Sequence, residues 1–141
     1  MRIVAVGIKV DFLWYSIGTG DFLHSFFSTI CINLENGKWG SNYPVIMTKL
    51  YSGLLTTEDQ NEAKKELAEI QKELSQLLPE KVVWDAEDLS TTPPWGNQIS
   101  EDVTSLANYY ITSDRKDLIS VMMEAIDEAI DESVNLEIKS L

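Results

Sequence analysis

The chain has 141 residues, 11 basic and 23 acidic, for a net charge of −12; this size fits a single domain, residues 1–141, with a substantial core and no need of staples. So large a negative excess repels phosphate backbones and anionic membranes, which argues against nucleic-acid or membrane partners and favours cationic ones. The single cysteine, Cys31, excludes an intrachain disulfide, and its place on an apolar stripe reads as an inert buried thiol in a reducing, cytoplasmic setting.

From Ile3 to Tyr15 the sequence alternates as one long strand. Val4, Val6, Ile8, Val10, Phe12 and Trp14 fall on one side, which must be covered. The other side begins small and turns polar at Lys9 and Asp11; these charges also argue against a signal peptide or a membrane span, so the mature chain is expected to start here. After the turn Gly18-Thr19-Gly20-Asp21, the apolar residues Phe22, Phe26, Ile30 and Leu34 recur at helical spacing. Leu23, Phe27 and Cys31 widen that stripe, and Asn36-Gly37 supplies a left-handed stop.

A turn-rich connection, Gly37 to Pro44, leads to a short helix over Val45–Tyr51, closed by Ser52-Gly53. The next helix has a capping box in Thr57 and Gln60, a narrow seam of Ala63, Leu67, Ile70, Leu74 and Leu77, and a stop at Pro79. Its flanking Glu62, Lys64, Lys65, Glu66, Glu69, Lys72 and Glu73 read as a solvated face. Lys81–Trp84 is a short strand candidate, followed by a long irregular stretch from Asp85 to Ser100 in which Pro93-Pro94-Trp95-Gly96 suits a type I turn. Residues 107–112 alternate as a strand, Ser113-Asp114 can cap a last helix over about 115–133, and Val134, Leu136 and Ile138 predict a final edge strand, with continuation of the helix as the alternative. Together these elements predict an α+β fold: a two-layer sandwich whose small, mostly antiparallel or mixed sheet carries its helices mainly on one face. A doubly wound parallel sheet would need strands apolar on both faces, and Lys9 and Asp11 oppose that.

No catalytic constellation emerges. Gly18-Thr19-Gly20 before a helix resembles a phosphate-binding turn, but the third glycine and the Lys-Ser/Thr pair are missing and Asp21 sets a carboxylate where an anion would bind. The only histidine, His24, has no nucleophile or zinc spacing around it and reads as structural. No cofactor or metal is expected, since Asp85, Glu87 and Asp88 lack the central glycine and distal glutamate of a calcium loop. The last helix places Glu124, Asp127, Glu128, Asp131 and Glu132 within an arc of about 140°, opposite Leu118, Met122, Ile126 and Ala129. That strip is either a solvated face or a docking surface for a cationic partner.

The run Gly20-Asp21-Phe22-Leu23-His24-Ser25-Phe26-Phe27-Ser28-Thr29-Ile30, preceded by Phe12-Leu13-Trp14-Tyr15 and followed by Lys38-Trp39-Gly40-Ser41, Pro94-Trp95-Gly96 and Thr112-Ser113-Asp114, resembles the immunity 70 family of bacterial polymorphic toxin systems. The resemblance implies a cytosolic antidote that binds the carboxyl-terminal domain of a cognate secreted toxin, and it carries no assignment of contact residues. On that reading, loop tryptophans Trp39 and Trp95 are either core plugs or toxin-binding anchors, with acidic partners in Asp85, Glu87 and Asp88, in the strip Glu124, Asp127, Glu128, Asp131 and Glu132, or in both. The charge favours a cationic target such as a nuclease. The competing classes are a small enzyme using paired carboxylates and a homo-oligomer built through the Ala63–Leu77 seam.

Overall fold

A computed structural model describes residues 5–94 and 99–140 of the chain. Ile3 and Val4 of the expected first strand, and Trp95 and Gly96 of the expected turn, lie outside the described residues. The first departure from expectation is at the amino end, where the long strand is a hairpin: β1 (Ala5–Val10) and β2 (Leu13–Thr19) pair antiparallel around Asp11 and Phe12. Asp11 reverses the chain at φ 53°, a left-handed conformation that aspartate tolerates better than most residues. Across the hairpin Val10 faces Leu13 and Ile8 faces Tyr15, so the core side passes from even to odd positions. Phe12 and Trp14, expected to continue the buried series, therefore sit on the loop tip and on the outer face. Ile17, on the same odd series, is buried, and a bulge there shifts the register so that Gly18 comes to face Val6.

The sheet has four strands in the order β2-β1-β4-β3, all antiparallel, with β3 at Leu54–Leu55 and β4 at Leu136–Ser140. The carboxyl-terminal strand thus forms as expected, but in the sheet interior rather than at its edge. Ile138 opposes Ile8, and Leu136 opposes both Val10 and Leu55. These residues face the helices, while Lys9, Trp14, Leu54 and Lys139 on the opposite face stay exposed, which gives the two-layer α+β arrangement.

Helix α1 (Gly20–Leu34) starts where Thr19 Oγ1 accepts from the Phe22 amide and ends at Asn36 and Gly37, with φ 52° and 78°. Val45–Leu50 winds as a π-helical turn that buries Ile46, Met47 and Leu50. Helix α2 (Gln60–Leu74) lacks the expected capping box: Asp59 is the cap residue, and Gln60 is buried, its amide donating to Leu55 O and Val134 O. Its seam of Ala63, Leu67, Ile70 and Leu74 is spent within the chain's own core, chiefly against α3, which leaves it unavailable for oligomerisation. Glu66 is not on a solvated face. It is buried and accepts from the amides of Val45 and Ile46, satisfying the start of the π-helical turn.

Two expected strands are absent. Around Lys81–Trp84 a 3₁₀ turn, Pro79–Lys81, is followed by extended chain without a strand partner, and within 107–112 the chain makes a 3₁₀ turn, Leu106–Asn108, and a single bridge from Ile111 to Asp117. Alternation misled there because Tyr110 is a core residue held by its hydroxyl, with Ser25 Oγ and Thr29 Oγ1 at 2.9 and 2.7 Å. The last helix, α3 (Leu118–Glu132), begins later than expected, capped by Asp117 on Ser120; Ser113 and Asp114 belong to a tight turn closed by Thr112 and Lys116. No helix among the described residues is long and apolar enough to cross a membrane.

Candidate functional site

Two of the residues singled out in loops, Trp39 and Asp85, converge on His24. Asp21 and His24 stand one turn apart on the first face of α1, as residues three apart on a helix do. At the other end of that helix Glu35 is buried and gathers the amides of Gly40, Asn42 and Tyr43 at 2.9, 3.0 and 3.0 Å, folding the connection back over α1. The fold-back carries Trp39 to His24, where the rings stack at 6.1 Å and 20°. Trp39 Nε1 donates to Met47 O, and the indole packs edge-on against Tyr51 at 4.8 Å.

The fourth wall comes from the irregular stretch after α2. Ser25 and Thr29, buried on α1, bond Val83 O, and the Val83 amide donates to Thr29 Oγ1 at 2.9 Å, so the chain leaves α1 at a fixed point. Two residues on, Asp85 meets His24 Nε2 at 3.2 Å. Tyr51 Oη lies 2.9 Å from the other ring nitrogen, Nδ1. An ionised carboxylate only accepts, so Nε2–H donates to Asp85, and in the neutral ring Nδ1 accepts from the Tyr51 hydroxyl.

Two hollows of about 300 Å³ each flank this histidine, one lined by Asp21, His24, Trp84, Asp85 and Thr91, the other by Gly20, Asp21, Leu23, His24 and Tyr51. The electrostatics are those of an acidic, aromatic recess. The Glu87 amide, and then the His24 ring, hold the Asp85 carboxyl below the usual carboxylate range against the opposing effect of burial. Burial, with Glu87 and Asp85 nearby, pushes the Tyr51 phenol up. Both shifts run away from neutrality, the reverse of the tuning that general acid–base catalysis asks for. A larger cavity of about 510 Å³ between α2, the Leu106–Asn108 turn and α3 contains Asp102 and Asp117 but none of the predicted site residues. Among the described residues no group of three or more His, Cys, Asp or Glu is placed to hold a metal ion.

Trp39 and Asp85 thus both contact His24, Trp39 from a half-buried position against Tyr51, and Glu87 lies near Tyr51. Asp88 is exposed and occupied locally, its Oδ1 accepting from the amide and hydroxyl of Ser90. The α3 strip has other neighbours: Asp127 pairs with Lys64 of α2 at 2.6 Å, while Glu124 and Glu128 lie near the Tyr15 hydroxyl of β2. Asp131 and Glu132 are exposed at the end of that helix. Sequence reasoning missed His24 as a centre, and Tyr51 altogether, because their partners stand 27 and 61 residues apart. No curated protein and no solved structure matches the chain at a significant level. The family model for immunity protein 70 does match it, over residues 8–138, nearly the full length on which this sheet, these helices and this recess are built, and the chain belongs to the immunity protein 70 family.

Proposed function

We propose that this immunity protein works in the cytoplasm as a plug: it binds the carboxyl-terminal domain of its cognate secreted toxin, covers the toxin's active site, and performs no turnover itself. The observation that carries this reading is the recess around His24, where Asp21 and Asp85 line the hollows beside Trp84 and Tyr51, with Glu87 near Tyr51, on a chain of net charge −12. Carboxylates there suit lysines and arginines that otherwise hold a substrate's phosphates, which favours a cationic target such as a nuclease. The distribution of charge serves capture, since complementary fields raise association rates above the unsteered range of about 10⁵–10⁶ M⁻¹s⁻¹. The half-buried aromatics serve retention by desolvating the contact.

The test is calorimetric titration with the toxin domain encoded beside this chain, together with growth rescue on co-expression. Asp85→Lys, a change at a half-exposed position that places a cation against the incoming cations, is expected to weaken affinity at least about tenfold. The wild-type association rate is expected to fall steeply with added salt. Full affinity in the Asp85→Lys protein removes the recess from the binding surface, and indifference of the wild-type chain to every neighbouring toxin domain ends the proposal.

A further inference from the structure

We propose that the β1–β2 hairpin and the open edge of β2 form a second docking surface, which receives an extended, basic segment of the partner protein as an added strand. This inference rests on the toxin-binding reading above and names where, outside the His24 recess, the toxin is held.

The surface is defined by what it leaves uncovered. Phe12 at the hairpin tip is 96% exposed, and Leu13 and Trp14 beside it are 45% and 39% exposed. Among the described residues β2 is the outermost strand of the sheet, and one of its edges has no neighbouring strand. The far end of that edge is closed, because the Ser113 amide donates to Ile17 O, and the stretch from Leu13 to Ser16 lies ahead of this closure. Natural edge strands are ordinarily guarded by lysine, by proline or by a covering loop. The β2 sequence LWYSIGT has neither charge nor proline, and its neighbour at the tip is a phenylalanine.

Trp14 is held ready for a partner. Its indole lies against Gly7 of β1, so closely that a Cβ there would sit 2.4 Å from Trp14 Cζ2 and 2.7 Å from Tyr15 O. The missing side chain lets the ring lie flat on the outer face of the sheet, an anchor whose ordering cost is already met before binding.

Charge selects the occupant. On the inner side of the strand α3 packs over β1 and β2, and Glu124 and Glu128 lie near the Tyr15 hydroxyl. A second copy of this chain would bring its own charge of −12 to the same edge and be repelled. A cationic strand is attracted. On the outer side Lys9 stands opposite Trp14, so basic residues of the added strand fit the α3 side and apolar ones the Trp14 side, as the period-two alternation of a strand allows.

The experiment uses the whole chain with the toxin domain encoded beside it. Amide hydrogen exchange is expected to slow at residues 13–16 on complex formation. Phe12→Ser combined with Leu13→Lys, both at exposed positions, and separately Glu124→Lys combined with Glu128→Lys, are each expected to weaken affinity at least about tenfold, with circular dichroism unchanged. If the wild type binds while exchange at 13–16 and the affinities of both variants stay as they were, the hairpin surface is overturned and the toxin-binding reading stands. If the wild-type chain binds no toxin domain, it is that reading which fails. A wild-type dimer in sedimentation that Phe12→Ser dissociates would assign the edge to a second copy and overturn the cationic occupant.

Discussion

Glu35 offers the sharpest test of how the fold builds the recess. Its carboxylate is only 2% exposed and accepts three backbone N–H groups, from Gly40, Asn42 and Tyr43. In Glu35→Ala all three donors lose a charged acceptor. Asn42 is exposed and Gly40 half-buried, so both can turn to water, whereas Tyr43 is buried. Hydrogen bonds to charged groups are worth about 1.5–3 kcal/mol net; counting one in full and two discounted by hydration gives a loss of about 2–4 kcal/mol. Against a total stability of about 5–15 kcal/mol that is a large fraction. Urea unfolding should show it as a lower midpoint at unchanged slope, and heating as a fall in Tm of about 6–14 °C. Glu35→Gln keeps one carbonyl oxygen and turns an NH₂ toward at least one donor, so about half of the loss is expected. Because this carboxylate folds the segment that delivers Trp39 to His24, near-ultraviolet circular dichroism should change along with stability. A loss under about 0.5 kcal/mol with an unchanged aromatic spectrum would refute the role given to Glu35, since that is the ordinary scale of a surface substitution.

Tyr110→Phe removes the buried hydroxyl shared by Ser25 and Thr29, and should cost about 1–2 kcal/mol in urea unfolding, moderated because both side chains keep Val83 as a partner; a neutral result would show that the Val83 contacts alone position the loop. Glu66 should give a pH signature: burial raises its carboxyl above the usual range, although the Ile46 and Val45 amides oppose this. The folded state then holds that proton more tightly than the unfolded chain does. Its contribution is therefore full below the unfolded carboxyl pKa and is lost as pH rises through the raised folded value. Glu66→Gln should flatten that descending part of the stability profile, and an unaltered profile would refute the assignment.

Much of the layer arrangement can be read from side-chain spacing. The stripe Phe22, Phe26, Ile30 and the seam Ala63, Leu67, Ile70, Leu74 each fix one helix face, and both faces are buried except at Phe22, which is half-buried. The hairpin escapes such reading because Asp11 and Phe12 continue the alternation across the turn without glycine or proline to punctuate it. The strands expected at Lys81–Trp84 and 107–112 fail for a different reason. Val83 and Tyr110 have the residue types of a strand, but their backbone amide and hydroxyl are taken by Ser25 and Thr29 of α1, a pairing across more than 50 residues that no local pattern encodes. Glu66 and Gln60 looked like solvent-facing and capping residues because burial of a polar side chain depends on which backbone groups arrive beside it, here the starts and ends of other segments.

The same distinction separates the two parts of the candidate site. Trp39 and Asp85 drew attention as an aromatic and an acid in turn-rich chain, and the recess does join them; what joins them is His24, whose ring can bond on both sides at once. The α3 carboxylates looked like one strip because their angular positions coincide, yet a helix packed in a fold presents different neighbours along its length. Asp127 is pulled to Lys64, an exposed pair worth about 0–1 kcal/mol, while Glu124 and Glu128 lie near the Tyr15 hydroxyl of β2. Like charges at Glu124 and Glu128 or at Glu128 and Glu132 bring no stability of their own, being mutually repulsive at four-residue spacing. In the proposed docking, Glu124 and Glu128 beside Tyr15 draw a cation to the open edge of β2, and the same field repels a second copy of the chain.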